Sequence, residues 1–81
     1  MRPQRPLPLT LEEHTEMGRE LRQTRTLLHE LCAVVVGIYG GNNRAAFNFQ
    51  KATEAIDRLR IDLQAQAAED LPEENIDGIY L

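Results

Sequence analysis

Gly40-Gly41-Asn42-Asn43 constrains this chain more than any other stretch. Glycine takes positive φ without steric cost, and asparagine tolerates the left-handed region better than most residues. Glycine after an apolar-periodic run is a common helix stop. Asn42 or Asn43 can cap a following helix by accepting from an orphan backbone N–H. The stretch therefore reads as a turn, with one long helix before it and a second after it. Two long helices joined by about four residues must lie antiparallel.

The start of the first helix is marked independently. Thr10 is an N-cap residue, Glu13 stands three positions later, and Leu9 precedes the cap. This is the pattern of a capping box with a hydrophobic staple. Glu12, Glu13 and Glu16 put negative charge where the helix dipole favours it. The second helix ends at Leu71-Pro72, because the residue before a proline is pushed out of the helical region. The expected organisation is an extended proline-rich arm over 1–9, a helical hairpin over 10–71 and an acidic tail with an apolar tip over 72–81. Within the hairpin the helices span 11–39 and 44–70, and the turn spans 40–43. At about 1.5 Å per residue the arms match, each roughly 40 Å long.

Heptad spacing names the packing residues. On the first helix Met17, Leu21, Thr24, Leu28, Leu31, Val35 and Ile38 alternate by four and three. On the second, Ala45, Phe49, Ala52, Ile56, Leu59, Leu63 and Gln66 do the same. Leu27, Cys32, Val34 and Val36 broaden the first stripe, so residues 31–39 are apolar on nearly every face. Ala33 and Gly37, four apart, would admit a close neighbour helix. Two helices cannot enclose a core, and 81 residues with no Trp, two Phe and two Tyr bury little alone. The fold class expected is all-α, an antiparallel two-helix hairpin that dimerises into a four-helix bundle by twofold pairing. The homo-oligomer, a dimer or tetramer, would use Leu27, Leu28, Leu31, Val34, Val35, Ile38, Phe47, Phe49, Ile56, Leu59 and Leu63.

Several residue patterns could carry chemistry. Glu13 and Glu16 on the first helix, and Glu54 and Asp57 on the second, place carboxylates three apart, as divalent-metal sites in bundles do. This pattern is similar to the paired acidic motifs of the all-α nucleoside triphosphate pyrophosphohydrolases. That resemblance implies a metal-dependent, oligomeric hydrolase, with these four residues as metal ligands. The spacing departs from that family: a hairpin about Gly41 sets Glu54 and Asp57 opposite residues 25–29 rather than Glu13. Only a partner subunit could join the two pairs. The plainer reading is solvated helix faces, with Glu54 and Arg58 as an i,i+4 pair. His14 and His29 lack the Glu-x-x-His pattern of di-iron bundles and read as exposed imidazoles. Cys32 has no activating neighbour and reads as a structural thiol.

Arg19, Arg22 and Arg25 form a slanted basic strip, but glutamates interleave and stacking aromatics are missing. The net charge of −4 also argues against nucleic acid or an anionic membrane as partner. The longest near-continuous apolar run, 31–39, falls short of the roughly 20 residues of a membrane-spanning helix. Arg2 and Arg5 lead into no apolar signal region, so a cytoplasmic location is expected. The tail tip, Ile79, Tyr80 and Leu81, either folds back onto the bundle or docks on another protein. Its acidic residues could attract the basic arm at Arg2 and Arg5.

The function expected is that of a protein–protein interaction or regulatory module, with no cofactor and no catalytic residues. The alternatives are the cross-subunit hydrolase just described and a nucleic-acid-binding accessory protein.

Overall fold

The computed structural model describes residues 7–81; Arg2 and Arg5, and the arm up to residue 6, lie outside the described residues. Two helices, α1 (Leu11–Tyr39) and α2 (Arg44–Asp70), pack against each other as an all-α hairpin. The capping box forms in full. The Thr10 side chain accepts from the Glu13 N–H at 3.1 Å, and the Glu13 carboxylate accepts from the Thr10 N–H at 2.9 Å. At the other end Gly40 takes φ 91°, and its N–H donates to Val36 O. The Asn43 N–H closes a turn onto Gly40 O at 3.3 Å. The Asn43 side chain then accepts from the Ala45 N–H and caps α2.

The helices meet along a heptad seam one position removed from the most apolar one. Leu21, Leu28 and Val35 of α1 and Phe49, Ile56 and Leu63 of α2 are half-buried, as their spacing predicts. The other half of each seam differs. On α1 it is His14, Gly18, Arg25 and Cys32; on α2 it is Ala46, Thr53, Arg60 and Ala67, all buried or half-buried. The residues expected there, Met17, Thr24, Leu31, Ile38, Ala45, Leu59 and Gln66, are exposed, and Ala52 is half-buried. Size and pairing explain the choice. Gly18 admits the tail backbone at Ile79, and Ala67 packs beneath Ile79 and Tyr80. Arg25 reaches across to Asp57, with Nε 2.8 Å from Oδ1. Cys32 Sγ lies 3.8 Å from Ala46 O.

The tail is the third layer of contact. The chain leaves α2 at Leu71, turns where Glu74 N–H meets Leu71 O, and turns again where Ile79 N–H meets Ile76 O. Gly78 sits inside the second turn at φ 79°, a conformation that costs glycine nothing. The tail then lies along the hairpin. Ile79 and Tyr80 are buried and Leu81 is exposed. Ala67, Ile79 and Tyr80 form the small core of the molecule, with Leu11, Leu21, Leu63 and Ile76 packed around it.

This return of the tail overturns one expectation. His14 is not an exposed imidazole but is fully buried. Its Nε2 lies 2.8 Å from Asp70 Oδ2 and its Nδ1 lies 2.6 Å from the Tyr80 hydroxyl. A carboxylate only accepts, so in the neutral ring Nε2–H donates to Asp70 and the Tyr80 hydroxyl donates to Nδ1. The two rings stand edge to face, 5.6 Å apart at 87°.

Candidate interaction surface

The molecule measures 48 × 28 × 15 Å, so it is one helix layer thick. Its two broad flanks follow from the seam. Stepping back one residue turns a helical side chain by about 100°. In antiparallel helices that step carries both helices' residues to the same flank. Met17, Leu31 and Ile38 of α1 therefore line up beside Ala45, Ala52 and Leu59 of α2. Leu27 and Val34 continue this surface around the outer edge of α1. Nothing among the described residues covers it: Leu27 is 54% exposed, Leu31 43%, Val34 58%, Ile38 68% and Leu59 44%. Near the turn the flank dips into a shallow groove of about 330 Å³ lined by Leu28, Ala45, Asn48, Phe49 and Ala52.

Of the residues expected at an interface, Leu28, Val35, Phe49, Ile56 and Leu63 are half-buried on the seam between the helices; Leu28 and Phe49 also line this groove, and Leu63 packs against the tail. Leu27, Leu31, Val34, Ile38 and Leu59 stand on it. Phe47 lies elsewhere, on the outer edge of α2, with the Lys51 ammonium 5.3 Å from its ring centroid. A Cβ on Gly37 would meet nothing within 4 Å, and Ala33 lies on the opposite flank, lining a groove there with Cys32 and Val36.

The opposite flank carries the tail over its lower half. Arg22 Nη1 donates to Ile79 O at 2.8 Å and Arg60 Nε donates to Tyr80 O at 2.7 Å. Gln64 donates to Ile76 O at 3.1 Å and accepts from the Tyr80 N–H at 3.3 Å. Tyr80 is held by burial, which pushes its phenol up, and the nearby Asp70 charge acts in the same direction. Asp70 is held below the usual carboxylate range, first by its hydrogen bond with His14 and next by Gln66. Toward the turn the same flank continues as a groove of about 450 Å³, lined among others by Arg25, His29, Cys32, Phe49 and Asp57.

The carboxylates weighed as metal ligands are placed apart and engaged. Glu54 and Asp57 border that groove, whereas Glu13 and Glu16 border another, beside Leu9 and Met17. Asp57 pairs with Arg25 and Arg60, and the Arg25 hydrogen bond is the main reason its carboxyl sits below the usual range. Glu16 pairs with Arg19, which lowers it in the same way. Glu13 belongs to the capping box, and Glu54 stands 3.9 Å from Lys51. Among the described residues no three His, Cys, Asp or Glu side chains are grouped to hold a metal ion. The basic strip is likewise divided, with Arg19 on Glu16, Arg22 on the tail and Arg25 on Asp57. No helix among the described residues is long and apolar enough to cross a membrane.

His14, Gly18, Arg22, Arg60, Gln64 and Asp70 are the residues that periodicity alone misses. The aromatic tip and a glycine inside an otherwise good helix were their signal. An interior glycine costs about 1 kcal/mol against alanine, and close approach of another backbone is a common reason to keep one. Comparison of the chain with protein-family models, curated proteins and solved structures finds no match.

Proposed function

We propose that this chain is an interaction module that works by hairpin-to-hairpin pairing, and that its first partner is a second copy of itself. The observation that carries the reading is the uncovered apolar flank built from Leu27, Leu31, Val34, Ile38 and Leu59 on a slab only 15 Å thick. Monomers rarely leave a contiguous apolar patch of this kind in water.

Two such flanks face to face make a four-helix bundle. Heptad stripes on all four helices would interlock there, with crossing angles near 20°. Twofold pairing meets the geometry with one self-complementary patch.

The test is solution mass by light scattering, with helicity measured on the same sample, for the natural chain and for Leu31→Asp. The expected result is a helical dimer that the substitution converts to a helical monomer. Leu31 is exposed in the single chain, so the substitution spares the hairpin itself. A natural chain that stays monomeric at tens of micromolar, or a Leu31→Asp dimer, refutes the reading.

A further inference from the structure

The pairing flank changes character halfway along the hairpin. Between the turn and Leu27 on α1, and between the turn and Leu59 on α2, the positions that make up the flank carry no charge. Seven residues are nearly two full helical turns, so each flank position recurs at that step. Stepping from Leu27 away from the turn reaches Glu20 and Glu13, and stepping from Ala55 reaches Asp62 and Glu69. No Lys or Arg among the described residues continues these series. On this far half Met17 is the one large apolar side chain that the described residues expose on the flank.

The acids stand in pairs. His14 meets Asp70 across the hairpin, so Glu13 and Glu69, one residue back on each helix, share a level. Glu20 and Asp62 share another, each five residues from the Arg25–Asp57 pair. Arg19 lies 4.0 Å from Glu20, but both side chains are more than half exposed, and an exposed pair of this kind offsets little.

Two copies paired as proposed above can overlap along their whole length in two ways. With both turns at one end, α1 lies on the partner's α2. Glu13 then meets the partner's Glu69 and Glu20 meets the partner's Asp62, like charges in a poorly screened place. With the turns at opposite ends, the acids of each copy lie on the uncharged half of the other, where they lose water and find no cation. A half-overlap avoids both costs. When the twofold axis crosses the flank at Leu31 and Ala52, seven residues in each direction take in Thr24 to Ile38 and Ala45 to Leu59. That overlap holds every exposed Leu, Val and Ile of the flank and none of its acids. Leu27 packs beside the partner's Val34, and Asn48 beside the partner's Ala55.

We infer that two copies pair through the turn halves of this flank alone, running in opposite directions with Leu31 and Ala52 at the twofold axis. The acidic halves project into water at the two ends of the dimer.

The test places a nitroxide spin label at an exposed position of α2 in the full chain, Lys51→Cys in one sample and Ala65→Cys in another, each with Cys32→Ser. Double electron–electron resonance then reads the separation of the two labels in the dimer. Ala65 lies thirteen residues from the axis and Lys51 one, so the Ala65 labels are offset along the dimer by about 40 Å and the Lys51 labels by about 3 Å. Full overlap in either direction leaves the two offsets within about 5 Å of each other. By light scattering Met17→Asp, outside the overlap, should leave the dimer intact, and Ile38→Asp, inside it, should weaken pairing ten-fold or more. Both residues are exposed in the single chain, so neither change disturbs the hairpin. Near-equal label separations, a Met17→Asp monomer, or an Ile38→Asp chain that pairs as tightly as the natural one overturns the half-overlap and leaves the pairing standing. A natural chain that is monomeric at tens of micromolar refutes the pairing, and the half-overlap with it.

Discussion

Gly18→Ala tests the position of the tail by the sign of its effect. In an ordinary helix interior, alanine in place of glycine adds about 1 kcal/mol of stability. Here the new methyl would lie 2.0 Å from Ile79 O and 3.0 Å from its carbonyl carbon. Backbone cannot yield as the end of a long side chain can, so the tail must lift away. Lifting it exposes Tyr80, whose burial stabilises by roughly 2–3 kcal/mol, and further loosens Ile79. It also breaks the bonds from Arg22, Arg60 and Gln64 to the tail, each a net contribution of about 1 kcal/mol. Water replaces part of what is lost and the helix gains its alanine increment. A net loss of roughly 2 kcal/mol remains, which for a domain of this size lowers Tm by about 10 °C. Thermal unfolding by circular dichroism reads the total, and amide exchange at Ile79 and Tyr80 reads the tail. A rise in Tm with protected tail amides would refute the placement of Ile79 against Gly18.

Acid should loosen the tail: the Asp70 carboxyl is lowered in the folded chain by His14 and Gln66. Its stabilisation is therefore full above the unfolded value of about 3.9 and is lost as pH falls through the folded value. Near-ultraviolet circular dichroism between pH 5 and 2 follows this, and an unaltered profile in Asp70→Asn would contradict it. Alkali should loosen the tail for the opposite reason, because burial raises the Tyr80 phenol. The stabilisation is whole below about pH 10 and is lost as pH rises through the folded value; Tyr80→Phe should remove the alkaline step in tail amide exchange. Thr10→Ala removes one half of the capping box and should cost about 1 kcal/mol in thermal unfolding, with fraying confined to the first turn of α1.

The hairpin of two packed helices is written in local chemistry. Thr10 and Glu13 cap each other through atoms three residues apart, Gly40 needs only its own backbone freedom, and Asn43 caps the residues just after it. Such signals depend on near neighbours in the chain, so they can be read without a fold. Half of each seam is legible for a similar reason: Leu21, Leu28 and Val35, with Phe49, Ile56 and Leu63, are central to the apolar stripe whichever way the helices turn. The other half is not. A mainly apolar set at 17, 24, 31 and 38 competes with a mixed set at 18, 25 and 32, and periodicity favours the more apolar one. Packing favours the mixed one, because the tail backbone at Ile79 closes on Gly18 and Arg25 finds Asp57 across the hairpin.

The same limit applies to the tail and to His14. A sequence can show that Ile79 and Tyr80 are too apolar to sit idle, but where they settle depends on residues up to 66 positions away. His14 belongs to a polar, glutamate-rich helix start and carries no local sign of burial. It is buried only because α2 delivers Asp70 to one ring nitrogen and the tail delivers Tyr80 to the other. The sequence by itself determined the helices, their caps and the turn, since each is fixed by bonds among near neighbours. The tertiary structure alone decided which flank the helices share, which the tail takes and which stays open. Those choices rest on backbone approach and side-chain pairing between segments far apart in the chain, and no local pattern encodes them.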